Sequence, residues 1–285
     1  MCVLLLGCGI ISKFIFIEDY KAYYFKELLL SRIYKNRNII REHIWIGFRG
    51  IEEKDFKEIG FLIHFHDNLL NYALFVIIKF MIGIIDYGAG NIRSIVNAIV
   101  KASRDLGIDV IVSSDLEILS GVDKLILPGV GAFGDVMKNL KSNSLDEFVK
   151  NWIRKGNKFM GICVGLQVLF EVGYENGINE GLNIFKGDVV KFSIAKPIPH
   201  VGWNQISVLN ESPFFSKRDE GKYFYFVHSY YVKPKDEKLI NTTTEYNGEI
   251  FTSSIFCENV FGVQFHPEKS HKNGEDIIKK FLKNF

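Results

Sequence analysis

The sequence predicts an α/β fold with a central, mostly parallel sheet over residues 81–285, preceded by an N-terminal extension, 1–80, to which it assigns no structure. Three observations carry this. Short runs at 82–85, 110–112, 124–127 and 159–162 have the length and apolar character of buried strands. Segments with helical spacing of apolar residues lie between the first of them, and strands separated by helices imply a parallel sheet covered on both faces. The last run ends in a glycine-framed turn around Cys163, at the carboxyl end of a strand, where such sheets carry their sites.

In order, 82–85 reads as a strand and 87–90 as a turn. Asn91 is placed to cap a helix with Ile92, Ile95, Val96, Ile99 and Val100 on one face, and Gly107 stops it. The strands 110–112 and 124–127 follow, with a short acidic helix over 115–119 between them. The second strand leads into the turn Pro128-Gly129-Val130-Gly131. After the strand at 159–162, Leu166, Val168, Leu169 and Phe170 begin an apolar helical face. The stretches 189–192, 205–209, 223–232 and 251–265 are rich in β-branched and aromatic residues and read as strands and hairpins. Ser270 then caps a final helix through Ile277, Ile278, Phe281 and Leu282.

The stretch 158–170, KFMGICVGLQVLF, holds the chemistry. A lone cysteine in an apolar run is ordinarily a small core residue. Here Gly161 and Gly165 stand two residues to either side of Cys163, the pattern of a nucleophile elbow with sulfur in place of oxygen. A cysteine opening a helix is biased toward thiolate by the positive end of the helix dipole. A thiolate nucleophile needs a base, and the base an orienting group. VQFHPEKS at 263–270 supplies His266 and Glu268, two apart, so that in extended backbone they point to one side, with Pro267 stiffening the chain between them.

GICVGLQ followed by HPE resembles the class I (triad) glutamine amidotransferases, over about 200 residues from Met81 onward. IGIIDYGAGN at 82–91, LPGVGAFGD at 127–135 and PHVGWN at 199–204 are similar, within that superfamily, to the glutaminase subunits of imidazole glycerol phosphate synthase, an enzyme of histidine biosynthesis. The resemblance implies a flavodoxin-like domain that releases ammonia from glutamine with Cys163 as nucleophile, His266 as acid and base, and Glu268 as its orienting partner. It further implies oxyanion donors from the backbone of Val164, Val130 and Gly131, and a glutamine site including Gly129, Gln167, Ser229 and Tyr230. In relatives the strand before the PGVG turn needs a peptide rotation to complete the oxyanion hole, which makes activity depend on a partner. That partner would be a (β/α)8-barrel cyclase, forming a heterodimer that channels ammonia, with Pro199, His200, Trp203, Asn204 and Lys269 at the interface. No cofactor and no metal are implied. Two other readings stay open: the glutaminase of another synthase, serving pyridoxal phosphate, anthranilate or guanylate synthesis, or a non-catalytic regulatory module on the same fold.

Composition bounds the rest. A chain of 285 residues, 47% hydrophobic, can bury a large core. A net charge of +2 lends no support to nucleic-acid or membrane-surface binding. Cys2, Cys8, Cys163 and Cys257 form no CxxC pair and no disulfide framework, which fits a reducing cytoplasm. The run 3–8 lacks the positive segment of a signal peptide, and 69–85 carries Lys79 and falls short of a spanning helix. Gly7-Cys8-Gly9 is not followed by a dinucleotide fingerprint, and His64 and His66 have no further ligands at metal-site spacing. Met81 therefore reads as the start of the catalytic domain, with residues 1–80 dispensable to it.

Overall fold

The computed structural model describes the backbone of 2–8, 11–17, 45–47, 59–67 and 70–78, and residues 80–88, 92–104 and 106–285. The chain divides into two compact units, Met1–Phe80 and Met81–Phe285. In the first, Cys2–Cys8 pairs antiparallel with Ile11–Ile17, while Ile59–Asp67 is the middle strand of an antiparallel sheet between Trp45–Gly47 and Leu70–Ile78. His64 and His66 fall on that middle strand, but their side chains lie outside the described residues, as do Gly9 and Asn91.

The second unit is built on an eight-stranded sheet. Its parallel half contains β1 (Met81–Ile85), β2 (Asp109–Ser113), β3 (Lys124–Leu127) and β4 (Lys158–Ile162), in the order β2-β1-β3-β4. The helices α1 (Arg93–Arg104), α2 (Leu116–Ser120), α3 (Phe133–Ser142) and α4 (Leu145–Arg154) connect them. All four residues of β3 are buried, so both faces of the sheet are covered. Asp115 caps α2 by accepting from the backbone N–H of Glu117 and Ile118, and the segment after α1 turns through Gly107 at φ +67°.

Beyond β4 the helical expectation fails. Only α5 (Val164–Gln167) is helical, and Phe170 opens a strand, β5 (Phe170–Gly173). Leu166, Val168, Leu169 and Phe170 are all fully buried, and a run buried on every side shows no helical period. The carbonyls of Val168 and Leu169 accept from Leu182 and Ile184 instead of from a next helical turn.

β5 pairs with β6 (Asn179–Glu180) and β7 (Phe185–Lys191) in a small second sheet. β8 (His200–Gln205) and β9 (Ser207–Val208) divide the strand expected over 205–209, and β10 (Tyr223–His228) and β11 (Tyr230–Pro234) divide 223–232 at Ser229. β8 and β10 form a two-stranded antiparallel pair, and β11 completes the second sheet against β7. β12 (Ile240–Tyr246), β13 (Glu249–Cys257) and β14 (Val260–Val263) return to the main sheet, and β14 lies parallel to β4.

The last helix, α6 (His271–Asn284), follows Ser270 as expected, but the Ser270 hydroxyl does not cap it. That hydroxyl donates to the His266 carbonyl at 2.7 Å and accepts from the Tyr225 N–H at 3.0 Å, tying the segment around His266 to β10. At its other end α6 is tied to the sheet by buried Lys124, whose Nζ donates to the carbonyls of Phe281 and Leu282. Burial pulls this lysine down to about 8.

Candidate active site

Two neighbouring parallel strands bring the site together. Val263 of β14 pairs with Ile162 of β4, and the Cys163 N–H donates to the Val263 carbonyl at 2.7 Å. Residues about 100 apart in the chain thereby leave the sheet side by side. Cys163 adopts φ +53° and ψ −110°, a conformation that L residues rarely take and that persists only where the surroundings impose it. What imposes it is close backbone contact: a Cβ on Gly165 would overlap the Leu127 carbonyl oxygen at the end of β3. A Cβ on Gly129 would likewise overlap the Gly165 nitrogen, so the PGVG turn is pressed against the elbow.

His266 is buried, and its Nδ1 lies 2.8 Å from Glu268 Oε1. Its other ring nitrogen is left for the Cys163 sulfur, which acts on the imidazole electrostatically. Burial works to lower the pKa of His266, but the charge of Cys163, joined by the hydrogen bond and charge of Glu268, outweighs it and raises the group to about 10. The imidazole, lying between Glu268 and the Cys163 sulfur, is therefore positively charged at neutral pH. Glu268 Oε2 is buried and has no hydrogen-bond donor among the described residues, so the carboxylate charge is offset mainly through the imidazole.

The other expected site residues fall around this line. Val164 opens α5 next to Cys163. Gly131 holds φ +110°, and the Val130 N–H donates to the Tyr87 hydroxyl at 3.3 Å. Burial, helped by the Cys163 charge, pushes that phenol up to about 12 against the lowering effect of the Val130 bond. Gln167 is buried and donates to the Tyr230 carbonyl at 2.9 Å and to Gln264 Oε1 at 3.1 Å. Ser229 and Tyr230 are half-buried at the junction of β10 and β11.

Of the expected interface residues, Pro199, Trp203 and Lys269 are exposed and Asn204 is half-buried. Trp203 packs edge-on to Tyr225, and Lys269 lies over the same ring. His200 departs from the expectation. It is buried at 2% exposure, stacked between Phe226 and Tyr246, because side chains alternate along β8 and its parity points inward.

Two residues had no role in the sequence reading. Tyr87 lies within the DYGAGN stretch, but nothing in sequence links it to Val130. Gln264 is fully buried and places Nε2 3.5 Å from Cys163 Sγ. Its signal was its place two residues before His266. The extended backbone expected through Glu268 is not formed, because Pro267 starts a short 3-10 turn over Pro267–Lys269 and Glu268 reaches the imidazole from within that turn.

Known proteins give this geometry a context. A family model described as glutamine amidotransferase class-I matches residues 83–285. The imidazole glycerol phosphate synthase subunit HisH of Aquifex aeolicus is 48% identical over 70% of this chain and 94% of its own length. The corresponding subunit of Methanocaldococcus jannaschii is 46% identical over 71% of this chain and 98% of its own. A glutamine amidotransferase structure from Thermotoga maritima, 14% identical, superposes with a TM-score of 0.51 over 71% of this chain and 82% of that one, a likeness of fold alone.

Proposed function

The chain belongs to the class I glutamine amidotransferase family, among the HisH subunits of imidazole glycerol phosphate synthase, and from that premise we propose how it takes ammonia from glutamine. The Cys163 thiolate attacks the side-chain carbonyl carbon of glutamine. The resulting oxyanion is met by the backbone N–H of Val164 and by one from the Val130-Gly131 turn. His266 gives its proton to the departing nitrogen, ammonia leaves, and a glutamyl thioester remains on sulfur. The now neutral imidazole takes a proton from water, hydroxide attacks the thioester, and glutamate departs as the thiolate is restored. Glu268 fixes the imidazole with Nδ1 protonated and supports the imidazolium. The observation that carries this reading is the line from Glu268 through His266 toward Cys163, which is buried in a strained elbow conformation.

The ammonia is used by a second subunit, and we assign that role to a (β/α)8-barrel cyclase producing imidazole glycerol phosphate and aminoimidazole carboxamide ribotide. Exposed Trp203 and Lys269, joined through the Tyr225 ring, support placing it over β8 and β10. Gly129, Gln167, Ser229 and Tyr230 hold the substrate. The catalytic domain is 81–285, and residues 1–80 take no part in the chemistry. The setting is cytoplasmic, consistent with free Cys163 and Cys257 thiols; among the described residues no helix is long and apolar enough to cross a membrane. Cys163→Ala tests the reading: glutamine-dependent synthesis with the cyclase is expected to vanish while synthesis from added ammonium salt persists. Glutamine hydrolysis at the wild-type rate in that variant would remove Cys163 from the role.

A further inference from the structure

A chain of buried and part-buried hydrogen bonds leads to the Cys163 sulfur. Gln264 Nε2 is 3.5 Å from Sγ, and Gln264 Oε1 is 3.1 Å from Gln167 Nε2. Gln167 Nε2 also lies 2.9 Å from the Tyr230 carbonyl, which His228 Nδ1 approaches to 2.9 Å. His228 Nε2 is 3.2 Å from His200 Nδ1, and His200 Nε2 is 3.4 Å from Asn204 Nδ2. Asn204 sits on β8 next to exposed Trp203.

The direction of every proton in this chain follows from backbone groups that cannot flip. A carbonyl only accepts, so Tyr230 O requires the amide N–H of Gln167 on one side and Nδ1–H of His228 on the other. Gln167 therefore presents its NH2 group to Gln264, which must answer with its oxygen, and the Gln264 NH2 is left facing sulfur. On the other side, His228 with a protonated Nδ1 has a bare Nε2 and must accept from His200 Nδ1–H. The bare Nε2 of His200 then accepts from Asn204. The far end agrees independently: Asn204 Nδ2 donates to the Glu245 carbonyl at 2.8 Å and Oδ1 accepts from the Gln205 N–H at 2.8 Å, which fixes the amide with nitrogen toward His200. Both histidines must be neutral for this pattern, and burial holds His200 down to about 4 and His228 to about 3.

We propose that Gln264 is a positioning residue for the reaction, donating its amide N–H to the Cys163 sulfur, and that its orientation is fixed by the polarised chain running from Asn204 through His200, His228 and Gln167. The proposal rests on the reading of Cys163 as nucleophile. The sulfur is then approached from two directions, by His266 and by Gln264, so the thiolate has a second donor before it attacks and again when glutamate departs and it is restored. The titratable groups facing the sulfur are His266 and Tyr87, with Glu268 behind His266 and His228 within electrostatic reach of the imidazole.

The test is the pH profile of Cys163 alkylation by iodoacetamide in the full chain, with Cys163→Ala giving the background from the other cysteines. Gln264→Glu keeps an acceptor for Gln167 and removes the donor to sulfur; Gln264→Met removes both in a similar shape. In each the alkylation midpoint is expected to rise by about one pH unit. kcat is expected to fall roughly tenfold with KM little changed, and the thermal midpoint of Gln264→Glu to stay near wild type. Nitrogen-detected NMR of the wild-type histidines should show the Nδ1–H tautomer at both His200 and His228. An unmoved alkylation midpoint, a moved midpoint with unchanged kcat, or an Nε2–H tautomer at His228 would each overturn the proposal. Turnover persisting in Cys163→Ala would instead remove the nucleophile reading, and the alkylation profile tells the two failures apart because it needs no substrate.

Discussion

The elbow around Cys163 and the pair of strands β8 and β10 are built on opposite plans. At the elbow, backbone meets backbone: the glycines at 129 and 165 leave no room for a methyl group, and Cys163 is held in a conformation it would not take alone. On β8 and β10, side chains are left standing in solvent, with Val201 54%, Trp203 43% and Tyr223 49% exposed. The difference separates two tasks. Under the function and docking proposed above, reacting atoms are positioned where nothing can be added, whereas the surface that meets the partner keeps apolar groups uncovered until it does.

That contrast can be broken first at the triad. Glu268→Gln removes the carboxylate that steadies His266, and glutaminase kcat should fall on the order of 1,000-fold with the fold intact. The same variant should lower the His266 titration midpoint seen by NMR. The raised value of about 10 adds stability that is present in full below about pH 6.5 and is lost as pH rises through 10, so weakening it narrows that window. Next in size is Gly165→Ala, where the new methyl must displace the Leu127 carbonyl. Urea unfolding is expected to show a loss of about 3 kcal/mol, and a loss under about 0.5 kcal/mol would mean the elbow yields easily. Tyr87→Phe frees the Val130 N–H from its resting acceptor; the isolated chain should turn over glutamine severalfold faster and gain less from the liganded partner, and slower basal turnover would contradict this. Smallest within the isolated chain is Trp203→Ala, expected to change stability by less than about 0.5 kcal/mol while weakening partner binding at least tenfold, as titration calorimetry would read.

Legibility in the sequence followed the same division. The strand expected over 124–127 is β3 itself, and 82–85 differs from β1 by one residue, because short runs buried on both faces leave a plain trace. The elbow was legible from the glycines two either side of Cys163, and the contact of His266 with Glu268 from their closeness in sequence, although a 3-10 turn and not extended backbone brings those two together. The helix expected to continue over 166–170 stops at Gln167, and the sequence does not show this because a uniformly buried run carries no period. α3 and α4 went unassigned although Leu145, Val149, Trp152 and Ile153 recur at helical intervals. His200 was grouped with its motif neighbours, yet parity along β8 already separated it from Val201 and Trp203. Gln264 and Tyr87 are of another kind, because their contacts with Cys163 and Val130 exist only once β4, β14 and the PGVG turn are in register.

The pairing of β14 with β4 also sets a schedule for synthesis. Cys163 leaves the ribosome long before Gln264, His266 and Glu268 do, and the carbonyl of Val263 that receives its N–H comes with them. Until the last few dozen residues emerge and β14 slots into the sheet, the cysteine has neither base nor second donor. A nascent or truncated chain therefore carries Cys163 without the side chains that surround it in the finished fold, and under the proposed function glutamine cleavage waits on completion of the fold.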